Sequence, residues 1–219
     1  MRMRKKKWAE PELNACEFFI KTPCDYKNRW KDFYKNDNPL ELEVGCGKGN
    51  FVSNKALLNP DTNFLAVDLI SNMLAVARRN IVKLFSDNGK ECKNIALTSY
   101  NVDKISEIVG SGDGIGRIYI NFCNPWPRLK HNKRRLTHPT KLNQYKEILT
   151  KGGEIHFKTD SDLLFDDSLE YFKECGFEIT YLTRDLHHSN VVGNIVTEHE
   201  KMFSDEGIPI KFLIARLNG

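Results

Sequence analysis

The sequence predicts an α/β protein: a doubly wound, mostly parallel, seven-stranded sheet with helices on both faces and an N-terminal extension. Three observations predict it. Seven apolar runs of strand length alternate with helix-compatible stretches, the pattern of right-handed βαβ crossovers. The first run leads directly into a glycine-rich turn and then a helical stretch. The 219 residues, 40% hydrophobic and 28% charged, suffice for one domain of ordinary size with a core of its own.

Along the chain, residues 1–25 mix charge with Pro11 and Pro23 and show no sustained periodicity. They read as a basic arm, ordered on binding, ahead of a single domain over 26–219. Tyr26, Trp30, Phe33 and Tyr34 recur at helical spacing, so this stripe lays a short helix on the body, with core packing favoured over base stacking. Strand-length runs follow at 40–44, 63–67, 94–98, 117–122, 154–158, 177–183 and 208–215, and the last two need not be parallel. Helical stretches lie at 51–59, 71–85, 104–109, 140–149, 163–175 and 197–204. Gly110, Gly112, Gly114 and Gly116 precede a strand and read as a flexible turn. The six cysteines form no CxxC pair, which argues for free thiols. His187 and His188 lack neighbours at ligand spacing, so no metal is expected. No apolar run approaches the ~18 residues of a membrane span, and a cytoplasmic location is expected.

In a sheet of this kind ligands bind beyond the carboxyl ends of the strands. The first such loop is Gly45-Cys46-Gly47-Lys48-Gly49, whose glycines let a ligand approach the backbone. It lacks the GK[ST] of a phosphate loop, and Asn50 stands where a dinucleotide turn has its third glycine. Glu43 ends the first strand, where a lone carboxylate is costly unless a cation or donor meets it. Asp68 ends the second strand, near the spacing at which an acid accepts ribose hydroxyls, and Asp103 follows the third. Each acid alone has a bland reading as a helix cap or surface residue. Together they suit a nucleoside bearing an amine and a sulfonium, and S-adenosylmethionine is the matching cofactor.

Charge is informative by location. The 33 basic and 29 acidic residues give a net charge of only +4. Ten of the cations sit in two segments without an acid: Arg2, Arg4, Lys5, Lys6 and Lys7, then Arg128, Lys130, Lys133, Arg134 and Arg135. Two concentrated basic segments on an otherwise acidic body imply a docked polyanion. The second segment directly follows Cys123-Asn124-Pro125-Trp126-Pro127, whose prolines fix the loop after the fourth strand, so phosphates would be held beside the methyl donor. Trp126 either stacks on a base or anchors the loop. Asp160, after the fifth strand, reads by itself as a helix N-cap. Thr197-x-x-Glu200 also carries a capping-box signature.

These residues resemble the bacterial tRNA (guanine-N7-)-methyltransferases, over about residues 38 to 217. The resemblance rests on Glu43-x-Gly45-x-Gly47-x-Gly49, on Asn121 to Pro127 with His131 to Arg135, on Glu154 to Asp160, on Asp185-Leu186-His187, and on Thr197 to Glu200. It implies a class I, S-adenosylmethionine-dependent enzyme that methylates a tRNA guanine in the variable loop, at position 46 of tRNA. It also implies that Glu43, Gly45, Gly47, Gly49, Asp68, Asp103 and Asn124 meet the cofactor, and that Asn124 is the catalytic position. Arg128, Asp160, Thr197, Glu198, His199 and Glu200 would meet the guanine. Lys130, His131, Asn132, Lys133, Arg134 and Arg135 would meet the RNA. Two residues depart from the commoner pattern: Asn124 replaces an aspartate and Arg128 a lysine. Three alternatives stay open on the residues themselves: methylation of an exocyclic amine, a nucleic-acid-binding protein with a degenerate cofactor fold, and a dehydrogenase.

Overall fold

The computed structural model describes residues 6–218, so Arg2, Arg4 and Lys5 of the first basic segment lie outside the described residues. Among these residues, eight strands form one sheet: β1 (Phe19–Ile20), β2 (Leu40–Val44), β3 (Asn63–Asp68), β4 (Ile95–Ser99), β5 (Ile115–Asn121), β6 (Leu149–Thr159), β7 (Phe177–Thr183) and β8 (Lys211–Leu217). Their order is β1-β4-β3-β2-β5-β6-β8-β7. All pairings from β1 to β6 are parallel, and β8 runs antiparallel to both β6 and β7. The expected seven strands are therefore corrected to eight. The additional strand is two residues long, too short for any periodicity to announce it. Its register comes from the edge of β4, where Phe19 faces Leu97, and Thr98 Oγ1 donates to the Ile20 carbonyl at 2.9 Å.

Among the described residues, seven α-helices accompany the sheet: α1 (Ala9–Asn14), α2 (Trp30–Tyr34), α3 (Asn50–Leu58), α4 (Ser71–Asp87), α5 (Pro139–Ile148), α6 (Asp162–Glu174) and α7 (Glu198–Asp205). One apolar layer joins α2, α5 and α6 to Leu42, Leu65, Ile118, Ile155 and Leu213; the other joins α1, α3 and α4 to Phe64, Ala66, Ile95 and Leu97. Alternate residues of β3 thus enter opposite layers, as period-2 geometry requires of a strand buried on both faces. Chain order runs outward from β2 in both directions, through β3 and β4 on one side and β5 and β6 on the other. The crevice beyond β2 and β5 is the topological switch point, where an open sheet of this kind binds its ligand.

Part of the stretch expected as an arm is built into this body. Leu13 of α1 is 2% exposed, and the Glu12 carboxylate bonds Arg79 of α4 at 2.8 Å, whose guanidinium lies 3.5 Å above the Trp8 ring. The aromatic stripe packs in the core, with Trp30 fully buried and its indole N–H donating to the Ile108 carbonyl at 2.8 Å. It is not one helix, however, because Asn28 adopts a left-handed φ of 61° between a 3-10 turn at Pro23–Tyr26 and α2. That asparagine also corrects the reading of Gly110 to Gly116 as a flexible turn. Asn28 Oδ1 accepts the Gly112 N–H at 2.9 Å, and Asp113 accepts the N–H groups of Asn28 and Trp30. A Cβ on Gly110 would fall 2.1 Å from Asn28 Oδ1, so the glycine permits a close approach in a tied corner.

Candidate active site

At the switch point Gly45, Gly47 and Gly49 all have left-handed φ, of 76°, 52° and 72°. The turn is fastened to β3: Gly45 and Cys46 donate to the Val67 carbonyl, and Gly47 donates to Asp68 Oδ2 at 2.9 Å. Asp68 Oδ1 accepts from Ile70 at 2.8 Å. Burial raises the Asp68 carboxyl above its usual range, and the N–H groups of Ile70 and Gly47 oppose the shift. Each oxygen keeps a lone pair beyond its backbone partner, as an acceptor of ribose hydroxyls requires.

The turn walls a cavity of about 170 Å³ together with Glu43, Phe51, Met73, Asn121, Phe122, Thr197, Glu198 and His199. Glu43 is 4% exposed. Its Oε1 accepts from Asn121 Nδ2 at 3.1 Å, while Oε2 is buried without a hydrogen-bond partner. Burial pushes this carboxyl up to about 8, with the Asn121 bond and the Lys158 charge pulling the other way. An unsatisfied buried carboxylate oxygen is rare and expensive, and it fits a ligand that brings a cationic donor. Asp103 is not brought to this cavity. Its carboxylate meets Lys141 Nζ at 2.5 Å instead, and the same ammonium donates to the Lys133 carbonyl, tying the loop after β4 to the second basic segment.

The loop after β5 holds two non-glycine residues at left-handed φ, Phe122 at 49° and Trp126 at 41°. Asn124 is exposed, its Oδ1 accepts the Trp126 N–H at 3.0 Å, and it does not line the cavity. Trp126 is half-buried, with the Arg134 guanidinium 5.0 Å above its ring and the His131 ring edge-on at 5.7 Å. Arg128, Lys130, Lys133 and Arg134 are exposed, the last three on a 3-10 turn at Leu129–Arg134. His131 is half-buried, and Asn132 buries its Oδ1 without a partner. Arg135 departs from the expected RNA contact. It is 1% exposed, its Nε donates to the Pro125 carbonyl at 2.8 Å, and it pairs with Asp167 of α6. A buried guanidinium that is fully engaged by protein has nothing to offer a phosphate.

The second wall comes from β6 and α7. Ser161, not Asp160, caps α6, its Oγ accepting from Leu164 at 3.2 Å, so the Asp160 side chain is not consumed in the cap. Thr197 does cap α7 through the Glu200 N–H at 3.1 Å. The glutamate half of the capping box is missing, because the Glu200 carboxylate turns inward to Lys158 Nζ at 2.9 Å and to Asn194 Nδ2 at 2.6 Å. Glu200 is fully buried, so the expected guanine contact is corrected: it holds α7 against β6, and Thr197, Glu198 and His199 line the cavity. Glu198 pairs with Lys48 of the glycine turn at 2.7 Å, closing the cavity rim from α7 to α3. His199 stacks on Phe122 at 6.0 Å. Sequence reasoning passed over Lys158, Asn121 and Phe122 as functional positions. The available signal is a lysine and an asparagine at the carboxyl-end portions of central strands, where an uncompensated polar group is costly.

The fold, the glycine turn at its switch point and the partnerless carboxylate beneath it define the Rossmann-like class I methyltransferases. Two solved structures share the fold: the 16S rRNA methyltransferase KamB, with a TM-score of 0.66 and 12% identity over 87% of this chain and 93% of that one, and an antibiotic-related methyltransferase, with a TM-score of 0.64 and 12% identity over 88% and 94%. A family model described as "Putative methyltransferase" matches residues 37–213. The tRNA (guanine-N(7)-)-methyltransferase of Clostridium beijerinckii is 55% identical over 98% of both chains, and that of Clostridium perfringens strain SM101 is 54% identical over 99% of both. The chain belongs to the tRNA (guanine-N(7)-)-methyltransferase family.

Proposed function

We propose that this protein transfers a methyl group from S-adenosylmethionine to N7 of a guanine in tRNA, the variable-loop guanine at position 46. The observation that carries the reading is the unpartnered Glu43 oxygen in the glycine-turn cavity, whose wall at Phe122 continues in sequence into an exposed cationic loop. Glu43 and the Gly45 to Gly49 backbone would hold the amino-acid part of the cofactor, and Asp68 would hold the ribose. When bound, the cofactor supplies an electrophilic methyl on a cationic sulfur.

What the chain must do follows from guanine itself. N7 carries a lone pair and no proton, so attack in line with the carbon–sulfur bond needs orientation and no base. Holding the reactants in an attack geometry can contribute ~7–11 kcal/mol to lowering the barrier, whereas general-base catalysis is worth ~10²–10⁴-fold where a proton must leave. The loop of Phe122 to Pro127 and the α7 start at Thr197 to His199 are the walls that would orient the purine. Asp160 would accept from guanine N1–H and its exocyclic amine, a pattern adenine cannot satisfy. Arg128, Lys130, Lys133 and Arg134 would neutralise phosphates.

The test is incubation of unmodified tRNA with methyl-labelled cofactor, nucleoside analysis, and mapping of the modified position. The expected product is 7-methylguanosine at one site in the variable loop. Label on an exocyclic amine, or no label in the presence of demonstrated S-adenosylhomocysteine binding, would defeat the proposal.

A further inference from the structure

The doublet Arg134-Arg135 reads in sequence as one patch of positive charge, yet the structure splits it. Arg134 is exposed over the Trp126 ring, and Arg135 is 1% exposed. The buried guanidinium spans two parts of the molecule. On one side its Nε donates to the Pro125 carbonyl at 2.8 Å and its Nη2 approaches the Trp126 carbonyl at 3.4 Å. On the other, Nη1 pairs with Asp167 and lies 3.4 Å from the Tyr171 hydroxyl, both on α6.

The loop it reaches is one that needs holding. Phe122 and Trp126 both sit in the left-handed region without being glycine, a conformation that persists only where the surroundings impose it. The Phe122 end is fixed by its N–H to the Lys158 carbonyl at 2.9 Å. The Trp126 end has two ties: its N–H to the Asn124 side chain within the loop, and the Arg135 guanidinium from outside it. A planar guanidinium with several donors in fixed directions can bond adjacent carbonyls and a carboxylate at once, which a lysine ammonium cannot reproduce.

We infer that Arg135 is a positioning residue: anchored on α6 through Asp167, it clamps the Pro125 and Trp126 carbonyls and so fixes the loop that runs from Phe122 of the cavity wall to Pro127. The activity arm of the test rests on the proposed methyl transfer; the exchange arm does not. Arg135→Lys keeps the charge and removes the fork, and Arg134→Ala serves as the comparison for a residue facing RNA. Hydrogen exchange followed by peptide mass spectrometry, without cofactor or RNA, should show residues 120–128 exchanging at least about tenfold faster in Arg135→Lys, with peptides of β6 unaltered. Turnover should fall roughly 10–100-fold while tRNA affinity and its salt dependence hold, since small misplacements of reacting groups act on kcat. Arg134→Ala should weaken tRNA binding with a shallower salt slope, a change Arg135→Lys should not show.

If Arg135→Lys does not fold, Asp167→Asn, which leaves the guanidinium and weakens only its anchor, should give the same pattern at smaller amplitude. Unchanged exchange in residues 120–128, or turnover within twofold of the parent, overturns the inference. So does a loss confined to tRNA affinity with a flattened salt slope, which would return Arg135 to the RNA surface. Should the parent protein methylate no tRNA, the proposed reaction fails by itself, and the exchange measurement alone decides the clamp.

Discussion

Glu43 in the free protein holds its proton to an unusually high pH, since burial lifts the carboxyl from the usual 4.5 to about 8. The folded value lies above the unfolded one, so the stability this group contributes is fully present below about 4.5 and is lost as pH rises through about 8. A cationic amine placed against Oε2 needs the carboxylate, so cofactor binding below pH 8 must expel the proton. Affinity for S-adenosylhomocysteine is expected to rise by up to about tenfold per pH unit from pH 6 to 7.5, until the ligand's own amine starts to lose its proton. Calorimetry in two buffers of different ionisation enthalpy should register release of about one proton at pH 6.5, and none from Glu43→Gln. Absence of release from the parent protein would mean that Glu43 does not meet the amine. Asn124 poses the other residue-scale question. Its Oδ1 is already engaged by the Trp126 N–H, a bond an aspartate would also make. With no proton to abstract from N7, Asn124→Asp should change steady-state turnover by less than about tenfold, and a gain of several hundredfold would reject positioning as the dominant effect.

At the scale of elements, the join between the glycine turn and α3 is the most demanding piece of backbone in the cavity wall. Gly49 has φ of 72°, and a Cβ there would stand 2.8 Å from Ala77 Cβ and 3.3 Å from Ala77 Cα. The obstruction is the body of α4 and not the tip of a flexible side chain. Gly49→Ala is therefore expected to destabilise the protein by roughly 1–3 kcal/mol and to weaken S-adenosylhomocysteine binding, because the α3 start must move. Urea melts and titration of the ligand check both; a variant matching the parent in each would show that the turn tolerates the shift. The strands and the larger helices were legible because each spans several periods of burial: β3 carries an unbroken apolar stretch since both its faces are covered, and β2 places an apolar residue at every second position. What escaped was structure set by single polar residues or by an edge. β1 exists by pairing two residues with β4, the aromatic stripe breaks at Asn28, and the corner at Gly110 is tied by side chains 84 residues away in sequence. Periodicity carries no trace of such ties.

For the molecule as a whole, charge was legible as composition but not as address. The basic segment after β5 splits into four exposed cations and one buried brace, and the acids split likewise, with Glu43 at the cavity floor, Asp103 paired to Lys141 and Glu200 locked to Lys158. Sequence states that a residue can be charged; only packing states whether water, a ligand or another side chain meets it. Counting exposed positions gives the electrostatic footprint on RNA. Each phosphate neutralised adds about 0.9 to the slope of log K against log salt on a duplex and about 0.7 on a single strand. Arg128→Gln combined with Lys130→Gln removes two exposed cations that have no ion pair among the described residues. The salt slope for tRNA binding should then flatten by about 1.4–1.8, with S-adenosylhomocysteine affinity unchanged because neither residue lines that cavity. Titrations across a range of potassium chloride concentrations measure it directly. A slope equal to that of the parent protein would take the basic loop off the RNA, and the tRNA would have to be gripped elsewhere, with the exposed Lys6 and Lys7 ahead of α1 the next cations to neutralise.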